Sequence, residues 1–571
     1  PGSVPPPETT DIRGKIYHPD HEGLFDDAEA FLKWAANRTQ GPRLEAPRVV
    51  VAVHSTHLTF QQPQVVVALI RALEKEGLLA AAVVDLNPAY ERAVAALTPQ
   101  VVLHTCHSRE SVQFRETIGV PHVHSVFARS PAINEWRTSV TGLSASDLAF
   151  QLTSQELLGA IEPLVGAGVD SVGAARDFQP IPDRIEHIAR RVGGWCRLAT
   201  LPDHQKRVAI IYYDREAGKG ELMRGSATGM FLNAPRSILE LLRDLRRAGF
   251  KVEDLPATEE ALLERLQDHG RLIGPWNAQL LEPLARSGHA ALVPVETYRR
   301  WLEERVPEIQ RQRLIETWGE PPGKFMVWRD GEQAFFVIPK VTLGNILLLP
   351  QPLRGEAFDT SKLHDLRVPP PHNYIATYFW LEETFGADAL IHFGTHGSEF
   401  LLPGKPTGLS RSDWPDILMG GMPNIQPWVI NNLGESSPVR RRAYALLVDH
   451  LVPPSVAAEL SDELANLHAD IDKWMTLPDG ALKEAFRARI AQQVRDQHLA
   501  QDLGWPELLP DVQLSDSQIQ ELLAYLHDLH NETIPVSLHI LGTPPPLDLQ
   551  VPWIVTCLRR RFLEELDEVI E

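Results

Sequence analysis

The sequence has few cysteines, no long apolar run and no excess of positive charge, and each absence excludes a class of protein. Its 571 residues include three cysteines, Cys106, Cys196 and Cys557, with no C-x-x-C pair, which excludes a disulfide framework and a thiolate zinc site. No apolar run approaches the roughly 18 to 20 residues of a membrane helix, so no transmembrane segment is predicted. The 75 acidic and 55 basic residues give a net charge of −20 at pH 7, which argues against binding along nucleic-acid phosphates.

A nucleotide-binding loop is also missing. The glycine-rich segment Gly218–Gly229 follows a predicted strand, but it matches neither a Walker A loop nor a G-x-G-x-x-G fingerprint. The chain is therefore not expected to bind ATP itself.

The apolar pattern predicts an α/β fold, with two doubly wound parallel-sheet units followed by a mixed, increasingly helical region. We expect an N-terminal arm over residues 1–44, a first α/β domain over 45–203, a second over 204–343, a motif-bearing region over 344–454 and a helical region over 455–571. Continuous apolar runs predict buried strands at Pro47–Val53, Ala80–Asp85, Pro99–His104, His122–Val126, Arg207–Tyr213, Lys251–Leu255, Ala290–Val295 and Ala387–Phe393. Helices are predicted at Pro63–Glu76, Ala145–Ala167, Asp183–Ala199, Glu259–Asp268 and His372–Phe385, and a hairpin at Lys324–Ile338.

The densest chemical signal is the segment ADALIHFGTHGSEFLLPGK, residues Ala387–Lys405. A buried strand runs into His392 and His396, and Glu399 follows three residues later. Ligands bind at the carboxyl ends of strands in open α/β sheets, and imidazole with carboxylate suits both metal coordination and proton transfer. We predict a catalytic role for these three residues; histidines that only cap a strand end are the alternative.

The loops that follow combine aromatic, amide and basic side chains. Trp414, Trp428, Asn424, Asn431 and Arg441 suit a flat organic ligand with carboxylates at its edge, because rings stack on its face and arginine pairs with carboxylate. Ordinary loop packing for the tryptophans and a solvated helix face for the arginine remain alternatives.

The first unit holds a second cluster of histidines. If its strands are parallel neighbours, six imidazoles meet at one sheet edge, where they are candidates for binding a metal or haem iron: His54, His57, His104, His107, His122 and His124. Cys106 is either a soft ligand or a buried inert thiol.

Three long segments resemble one known family. IHFGTHGSEFLLPGKPTGLS (Ile391–Ser410), DWPDILMGGMPNIQPWVINNLGE (Asp413–Glu435) and RRRAYALLVDHLVPP (Arg440–Pro454) are similar to the large subunit of ATP-dependent tetrapyrrole chelatases, the CobN-type cobaltochelatase and magnesium-chelatase H-subunit family. The resemblance implies that this chain holds the tetrapyrrole while separate AAA+ ATPase and integrin-like subunits hydrolyse ATP. It also implies macrocycle contacts at Lys405 and His372, and a divalent metal substrate: cobalt, iron or magnesium.

Within that family, the resemblance favours cobalt insertion into a corrin precursor of the hydrogenobyrinic acid a,c-diamide type. The family pattern H-x-G-x-H-G-x-x-E-x-x-P-G-K places its glutamate where this chain has Phe400, and Glu399 lies one residue earlier. This shift and the histidine-rich first unit keep three alternatives open: a haem-binding protein that removes iron, a non-catalytic tetrapyrrole carrier, and a periplasmic-type module that binds metal through the first-unit histidines alone. Within the chelatase family, magnesium insertion into protoporphyrin ranks after cobalt insertion and iron removal.

The chain begins without methionine, so we expect it to be part of a longer protein. A cytoplasmic location is predicted, or a periplasmic one if a signal peptide has been removed.

Overall fold

We describe the fold from a computed structural model of the chain. The structure describes residues 11–59, 62–106, 112–170, 177–213, 231–355, 365–394, 396–453, 455–457, 460–506, 509, 512–531, 533–535, 538–551 and 553–554. The chain divides into two compact units, one formed by Pro1–Leu451 with Ile540–Gly542 and the other by Val452–His539 with Thr543–Glu571.

The first sheet has eight strands in the order β2-β1-β4-β3-β5-β6-β7-β8. Its central five strands are parallel, and β1, β2 and β8 add antiparallel edges. The strands are β1 Ile16–Tyr17, β2 Leu24–Phe25, β3 Arg48–Val53, β4 Leu79–Val84, β5 Val101–His104, β6 His122–Ala128, β7 Ile161–Val169 and β8 Phe178–Pro180. Because β4 and β5 flank β3 on opposite sides, the sheet is doubly wound, with its switch point between β3 and β5.

The helices of this region cover both faces of the sheet. They are Ala28–Ala36, Thr56–Thr59, Gln64–Lys75, Pro88–Leu97, Val112–Ile118, Ile133–Thr138, Ala145–Asp147, Ser154–Glu156 and Pro182–Thr200, with a π-helical turn at Leu148–Thr153 and a 3-10 turn at Asp203–Gln205.

Two predictions for this region are wrong. Residues 11–44 are not an arm, because β1 and β2 extend the sheet and Phe31 and Ala35 are buried in its core. The predicted helix Ala145–Ala167 ends early, and its second half is part of β7, a buried strand.

The second sheet has six strands in the order β13-β14-β9-β15-β16-β17. Five are parallel and β13 pairs antiparallel at the edge. They are β9 Val208–Tyr212, β13 Val341–Leu343, β14 Ile346–Pro350, β15 Ala389–Phe393, β16 Asn424–Val429 and β17 Ala445–His450. The predicted boundary between 343 and 344 falls inside the β13–β14 hairpin, so residues 344–450 complete the sheet that β9 begins rather than forming a separate region.

Residues 231–340 form an insertion between β9 and the β13–β14 hairpin. A three-stranded antiparallel sheet, β10-β12-β11, lies within it and contains the predicted hairpin: β10 Ala290–Pro294, β11 Val327–Asp330 and β12 Gln333–Pro339. Its helices are Ala234–Arg247, Glu259–His269, Leu281–Arg286, Val295–Arg305 and Glu308–Trp318, with a 3-10 turn at Pro275–Leu280. The predicted strand Lys251–Leu255 is irregular instead, because its alternating charges leave too few apolar side chains to bury.

The remaining helices of the second sheet's region are His372–Trp380, Trp414–Met419 and Leu433–Arg442, with a π-helical turn at Leu381–Phe385 and a 3-10 turn at Glu399–Leu401. Buried ionic contacts join this region to the first sheet's region. Arg184 of the helix Pro182–Thr200 forms a bidentate pair with Asp416, at 2.7 and 2.8 Å. On the same helix, Arg191 binds Glu162 of β7 and donates to the Gly420 carbonyl at 2.8 Å.

The second unit is mainly helical. Its helices are Asp462–Thr476, Ala481–Asp496, Leu499–Asp502 and Asp516–Asn531, and a two-stranded sheet pairs β18 Ser455–Ala457 with β19 Thr533–Pro535. No helix among the described residues is both long and apolar enough to cross a membrane. The predicted class, two doubly wound parallel sheets followed by a helical region, is confirmed.

Candidate active site

The site lies at the carboxyl edge of the second sheet. Strands β14 and β15 flank β9 on opposite sides, so the sheet changes winding direction beside β15, and such a point is where open α/β sheets bind ligands. His392 is near the carboxyl end of β15. Asn424 and Gln426 are two residues apart on the neighbouring strand β16, so their side chains share a face.

Two hydrogen bonds determine which nitrogen of His392 carries a proton. The Asn424 side-chain nitrogen donates to the Ala443 carbonyl at 3.0 Å, so its Oδ1 faces His392 Nδ1 at 2.7 Å. Oδ1 only accepts hydrogen bonds, so Nδ1 carries the proton. In the neutral ring Nε2 is then unprotonated and accepts from the Tyr378 hydroxyl at 2.9 Å.

Glu399 is a buried carboxylate without a lysine or arginine partner among the described residues. It is 0% exposed, and no Lys or Arg of the described residues makes an ion pair with it. Gln426 donates to Oε1 at 2.6 Å, while Oε2 lies 3.5 Å from His392 Nε2 and has no hydrogen-bond donor among the described groups. A buried carboxylate is costly unless a cation or proton accompanies it, so Oε2 is a place for an incoming cation or proton.

The one-residue shift of Glu399 from the family pattern does not remove it from the site. Residues Glu399–Leu401 form a 3-10 turn rather than a strand, so consecutive side chains do not point to opposite faces. Gly397 makes room for the carboxylate: a Cβ there would lie 1.8 Å from Glu399 Oε2 and 2.6 Å from His392 Cδ2.

Buried hydroxyl and amide groups complete the network. Tyr374 and Tyr378, one turn apart on the helix His372–Trp380, stack with ring centroids 5.2 Å apart. Gln351, just after β14, donates to both tyrosine hydroxyls at 3.0 and 3.1 Å. The Tyr374 hydroxyl lies 2.9 Å from Ser398 Oγ. Burial raises the pKa of both tyrosines, so both keep their protons at neutral pH.

His396 is in a different environment from His392. Its ring stacks on Trp428 and meets Phe400 edge-on, with centroids 6.2 and 4.9 Å away. Its Nε2 lies 3.2 Å from Glu435 and its Nδ1 donates to the Gly397 carbonyl at 2.7 Å. Burial lowers the pKa of His396, but the hydrogen bond to Glu435 and its negative charge outweigh burial, and the net pKa is raised.

Taken together, the groups can accept protons and hold a cation in a dry environment. His392 Nε2 can take a proton or a cation in place of its hydrogen bond from Tyr378, and Glu399 offers an oxygen 3.5 Å away that has no hydrogen-bond donor among the described groups. Imidazole nitrogen and carboxylate oxygen are ligands for first-row divalent metals and bases near neutral pH.

Several side chains predicted to contact the tetrapyrrole are paired with protein groups or buried in this structure. Lys405 Nζ donates to Ser410 at 2.8 Å and Asp413 at 3.1 Å. Arg441 pairs with Glu156 at 2.6 Å, and Trp414 is 1% exposed in the core.

The other predicted contacts differ in surroundings. Asn431 is exposed in the turn after β16. His372 lines a separate cavity of about 340 Å³ with Trp318 and Phe325, and its nitrogens bond the Tyr298 hydroxyl and the Gly319 carbonyl.

The first-unit histidines do not converge as predicted. His54 and His57 line a cavity of about 280 Å³ with Cys106 at the carboxyl edge of β3 and β5. His104 and His124 are buried side by side in the sheet, with ring centroids 5.8 Å apart.

His122 is the first residue of β6, and its ring donates to the Val120 carbonyl at the amino end of that strand. Strand β6 continues past β5 at its carboxyl end, so His122 lies far from the carboxyl edge where it was predicted. His107 and the segment Gly218–Gly229 lie outside the described residues. Burial lowers the pKa of His57, His122 and His124, the last two to about 4, so these rings are neutral at pH 7.

The sequence reasoning missed Gln351, Tyr374, Tyr378, Ser398 and Gln426. The two tyrosines carried a signal, since their spacing of four in HNYIATYFW places both on one helix face. Gln351 and Gln426 carried none, because only the tertiary fold brings them beside residues 23 positions or more away.

Comparison with known proteins gives one consistent result. The family described as CobN/Magnesium Chelatase matches residues 2–570. The aerobic cobaltochelatase subunit CobN of Pseudomonas aeruginosa is 30% identical over 96% of this chain and 43% of its own length. The chloroplastic magnesium-chelatase subunit ChlH of Oryza sativa is 27% identical over 93% of this chain and 38% of its own length.

The solved catalytic subunit of cobaltochelatase from Mycobacterium tuberculosis shares the fold with a TM-score of 0.78 at 25% identity, covering 96% of this chain and 45% of that chain. The chain thus spans less than half the length of these relatives. It belongs to the CobN/magnesium chelatase family.

Proposed function

We propose that this chain is the tetrapyrrole-binding part of the large subunit of an ATP-dependent metal chelatase, and that it inserts cobalt into a corrin precursor of the hydrogenobyrinic acid a,c-diamide type. AAA+ ATPase and integrin-like subunits act as separate partners that hydrolyse ATP. Metal insertion removes two pyrrole protons and delivers a partly desolvated divalent cation.

The pairing of Glu399 with His392 carries the proposal. The carboxylate is buried without a lysine or arginine partner among the described residues, and the hydrogen bond to Asn424 puts the proton of the neutral ring on Nδ1, so that His392 Nε2, 3.5 Å from the carboxylate, is an acceptor. One group suits the incoming cation, and both suit departing protons.

Cobalt is favoured over magnesium on two grounds. Imidazole is a good ligand for cobalt, whereas magnesium prefers oxygen ligands. A cobaltochelatase subunit is also 30% identical over 96% of the chain.

The alternatives receive less support. Glu399 reaches His392 despite the shift in sequence, which favours an enzyme over a non-catalytic carrier. A haem-binding first unit is not favoured, because His104, His122 and His124 are buried within the sheet rather than at its open edge.

The test is reconstitution of the full-length protein with its ATPase and integrin-like partners, ATP, cobalt and hydrogenobyrinic acid a,c-diamide. Product is quantified by absorbance and mass. We expect Glu399→Gln to lower the rate about 100-fold or more, because proton transfer by a positioned group contributes roughly 10²–10⁴-fold.

Magnesium with protoporphyrin and haem without added metal are run in parallel. The matched control is Glu282→Gln, an exposed carboxylate that pairs with Arg286, which should retain full activity. Magnesium insertion, iron release or an unaffected Glu399→Gln variant would overturn the proposal.

A further inference from the structure

Two histidines face each other across a helix pair in the second unit. The helices Asp462–Thr476 and Asp516–Asn531 pack through Leu467, Ile471, Leu522 and Leu526, all 0% exposed. His468 follows Leu467 and His527 follows Leu526, so both rings lie at the rim of this packed interface. Their Nε2 atoms are 2.9 Å apart.

Asp472 determines how the pair shares its proton. It lies one turn after His468 on the same helix, and its Oδ2 is 3.3 Å from His468 Nδ1. A carboxylate beside Nδ1 favours a proton there, so His468 Nε2 has a free lone pair and His527 Nε2–H donates to it. Metal-binding histidines are oriented in the same way, with a carboxylate behind the ring and a lone pair in front.

The spacing of the two nitrogens suits one metal ion. Nitrogen ligands bind zinc-like divalent ions at about 2.0–2.1 Å, so two neighbouring ligands on one ion are about 2.9–3.4 Å apart. The observed separation of 2.9 Å falls at the short end of this range. An ion bound by both nitrogens lies to one side of the line that joins them, so the two rings, with centroids 5.0 Å apart, rotate to direct their lone pairs at it. The proton displaced from His527 Nε2 moves through solvent to His527 Nδ1.

We propose that His468 and His527 bind a divalent first-row transition ion of the cobalt, nickel, zinc and copper class, with Asp472 orienting His468. The two rings supply two ligands and solvent supplies the rest, since His468 is partly exposed and His527 is exposed. Such a site holds an exchangeable ion rather than a permanent structural one. The inference is independent of the proposed chelatase reaction.

Two other clusters lack this geometry. His18, Asp20 and Glu74 form the one group of three converging donors within the described ranges. The guanidinium of Arg38 pairs with both carboxylates, so their negative charge is already neutralised by a side chain. His269 and His289 stack face to face, with centroids 3.7 Å apart and planes 12° apart. Lone pairs lie in the ring plane, so stacked rings do not direct their nitrogens at one ion.

The full chain is titrated with cobalt chloride, without tetrapyrrole or ATPase subunits. Binding is followed by calorimetry and by the visible absorption of nitrogen-ligated cobalt. We expect His527→Ala and His468→Ala each to weaken one cobalt site at least 10-fold and to remove the part of the absorption that belongs to it, whereas Glu399→Gln should leave that part unchanged. Asp472→Asn should weaken binding about 10-fold, the lower end of the effect of removing an orienting partner.

His289→Ala is the matched control, because it removes one member of the stacked pair and should titrate like the unmodified chain. Circular dichroism of each variant checks folding, and these side chains lie outside the leucine interface. If His527→Ala and His289→Ala bind cobalt equally well, or if the band survives in both His468→Ala and His527→Ala, the site does not exist. Nickel and zinc titrations should give the same ranking of variants.

Discussion

The carboxyl edges of the two parallel sheets each carry histidines, but those histidines have different surroundings. At the first edge, His54 and His57 line a small cavity, and His57 contacts the rings of Phe127 and Phe178. At the second edge, His392 has a fixed partner on each nitrogen. The number of histidines at an edge is therefore a weaker guide to a site than a network of hydrogen bonds that fixes which nitrogen of each ring carries the proton.

The largest expected effect tests whether the buried ion pair between the two sheet regions stabilises the region that carries His392 and Glu399. Asp416→Asn breaks the buried pair with Arg184 and leaves a buried guanidinium, which we expect to cost about 3–5 kcal/mol of unfolding free energy. Urea unfolding followed by fluorescence measures it. Glu186→Gln, at the exposed pair with Lys75, should leave the midpoint unchanged.

The same variant should alter the response to acid. Burial raises the pKa of Asp416, but the charges of Arg184 and His187 more than offset this and hold it well below the usual value. The pair therefore stabilises the fold above the unfolded-state pKa of about 3.9, and this stabilisation is lost as the pH falls through the lower folded-state pKa. Below about pH 4 the difference between Asp416→Asn and the unmodified chain should shrink; a constant difference would contradict the assignment.

The next effect sharpens the description of the second edge. Gly397→Ala places a Cβ 1.8 Å from the present position of Glu399 Oε2, so the carboxylate must move away from His392. We expect about a 100-fold loss of cobalt insertion, comparable to Glu399→Gln, with the fold retained. Gly434→Ala, where a Cβ meets nothing within 4 Å, is the control. Full activity of Gly397→Ala would show that the observed position of Glu399 is not needed.

A smaller effect tests the proton arrangement on His392. Asn424→Ala removes the acceptor opposite Nδ1, so the ring can place its proton on either nitrogen. We expect about a 10-fold lower kcat and a changed pH profile. Nitrogen-15 NMR of labelled histidine should show a mixture of tautomers, whereas Asn424→Asp, which keeps an acceptor, should restore a single form. An unchanged His392 signal in Asn424→Ala would contradict the assignment.

The smallest effect applies to the first edge. His57→Gln should change cobalt insertion less than about 3-fold, because His57 contacts aromatic rings and, among the described residues, joins no polar network that reaches Glu399. A loss as large as that of Glu399→Gln would contradict this difference between the two edges and would assign His57 a part in the reaction.

Strand positions and the motif segment could be predicted from the sequence because buried parallel strands are continuous apolar runs. Pro47–Val53 and Arg207–Tyr213 matched β3 and β9 to within a residue. β16 was missed because it contains Pro427 and polar side chains, which are typical of loops.

The site was only partly predictable, because sequence shows which residues are neighbours along the chain but not which ones the fold brings together. His392, His396 and Glu399 could be found because they are close in sequence. Asn424 was also selected, but as a ligand contact rather than as the residue that orients His392. Tyr378 and Gln426 reach the site only through helix packing and sheet pairing. Whether the Glu399 side chain points toward His392 depends on whether residues 399–401 form a strand or a turn. The spacing of residues in the motif does not distinguish these two conformations.

The contacts of Arg191 have a consequence for building chimeras from members of this family. It donates to the Gly420 and Met422 carbonyls just before β16 while paired with Glu162 of β7, and Gly194 on the same helix allows the Gly421 carbonyl to come close. These contacts fix where β16 starts, and a slip of one residue would turn Asn424 and Gln426 to the opposite face of the sheet. Halves exchanged between relatives should therefore work only when this helix and the Met419–Met422 loop are transferred from the same parent.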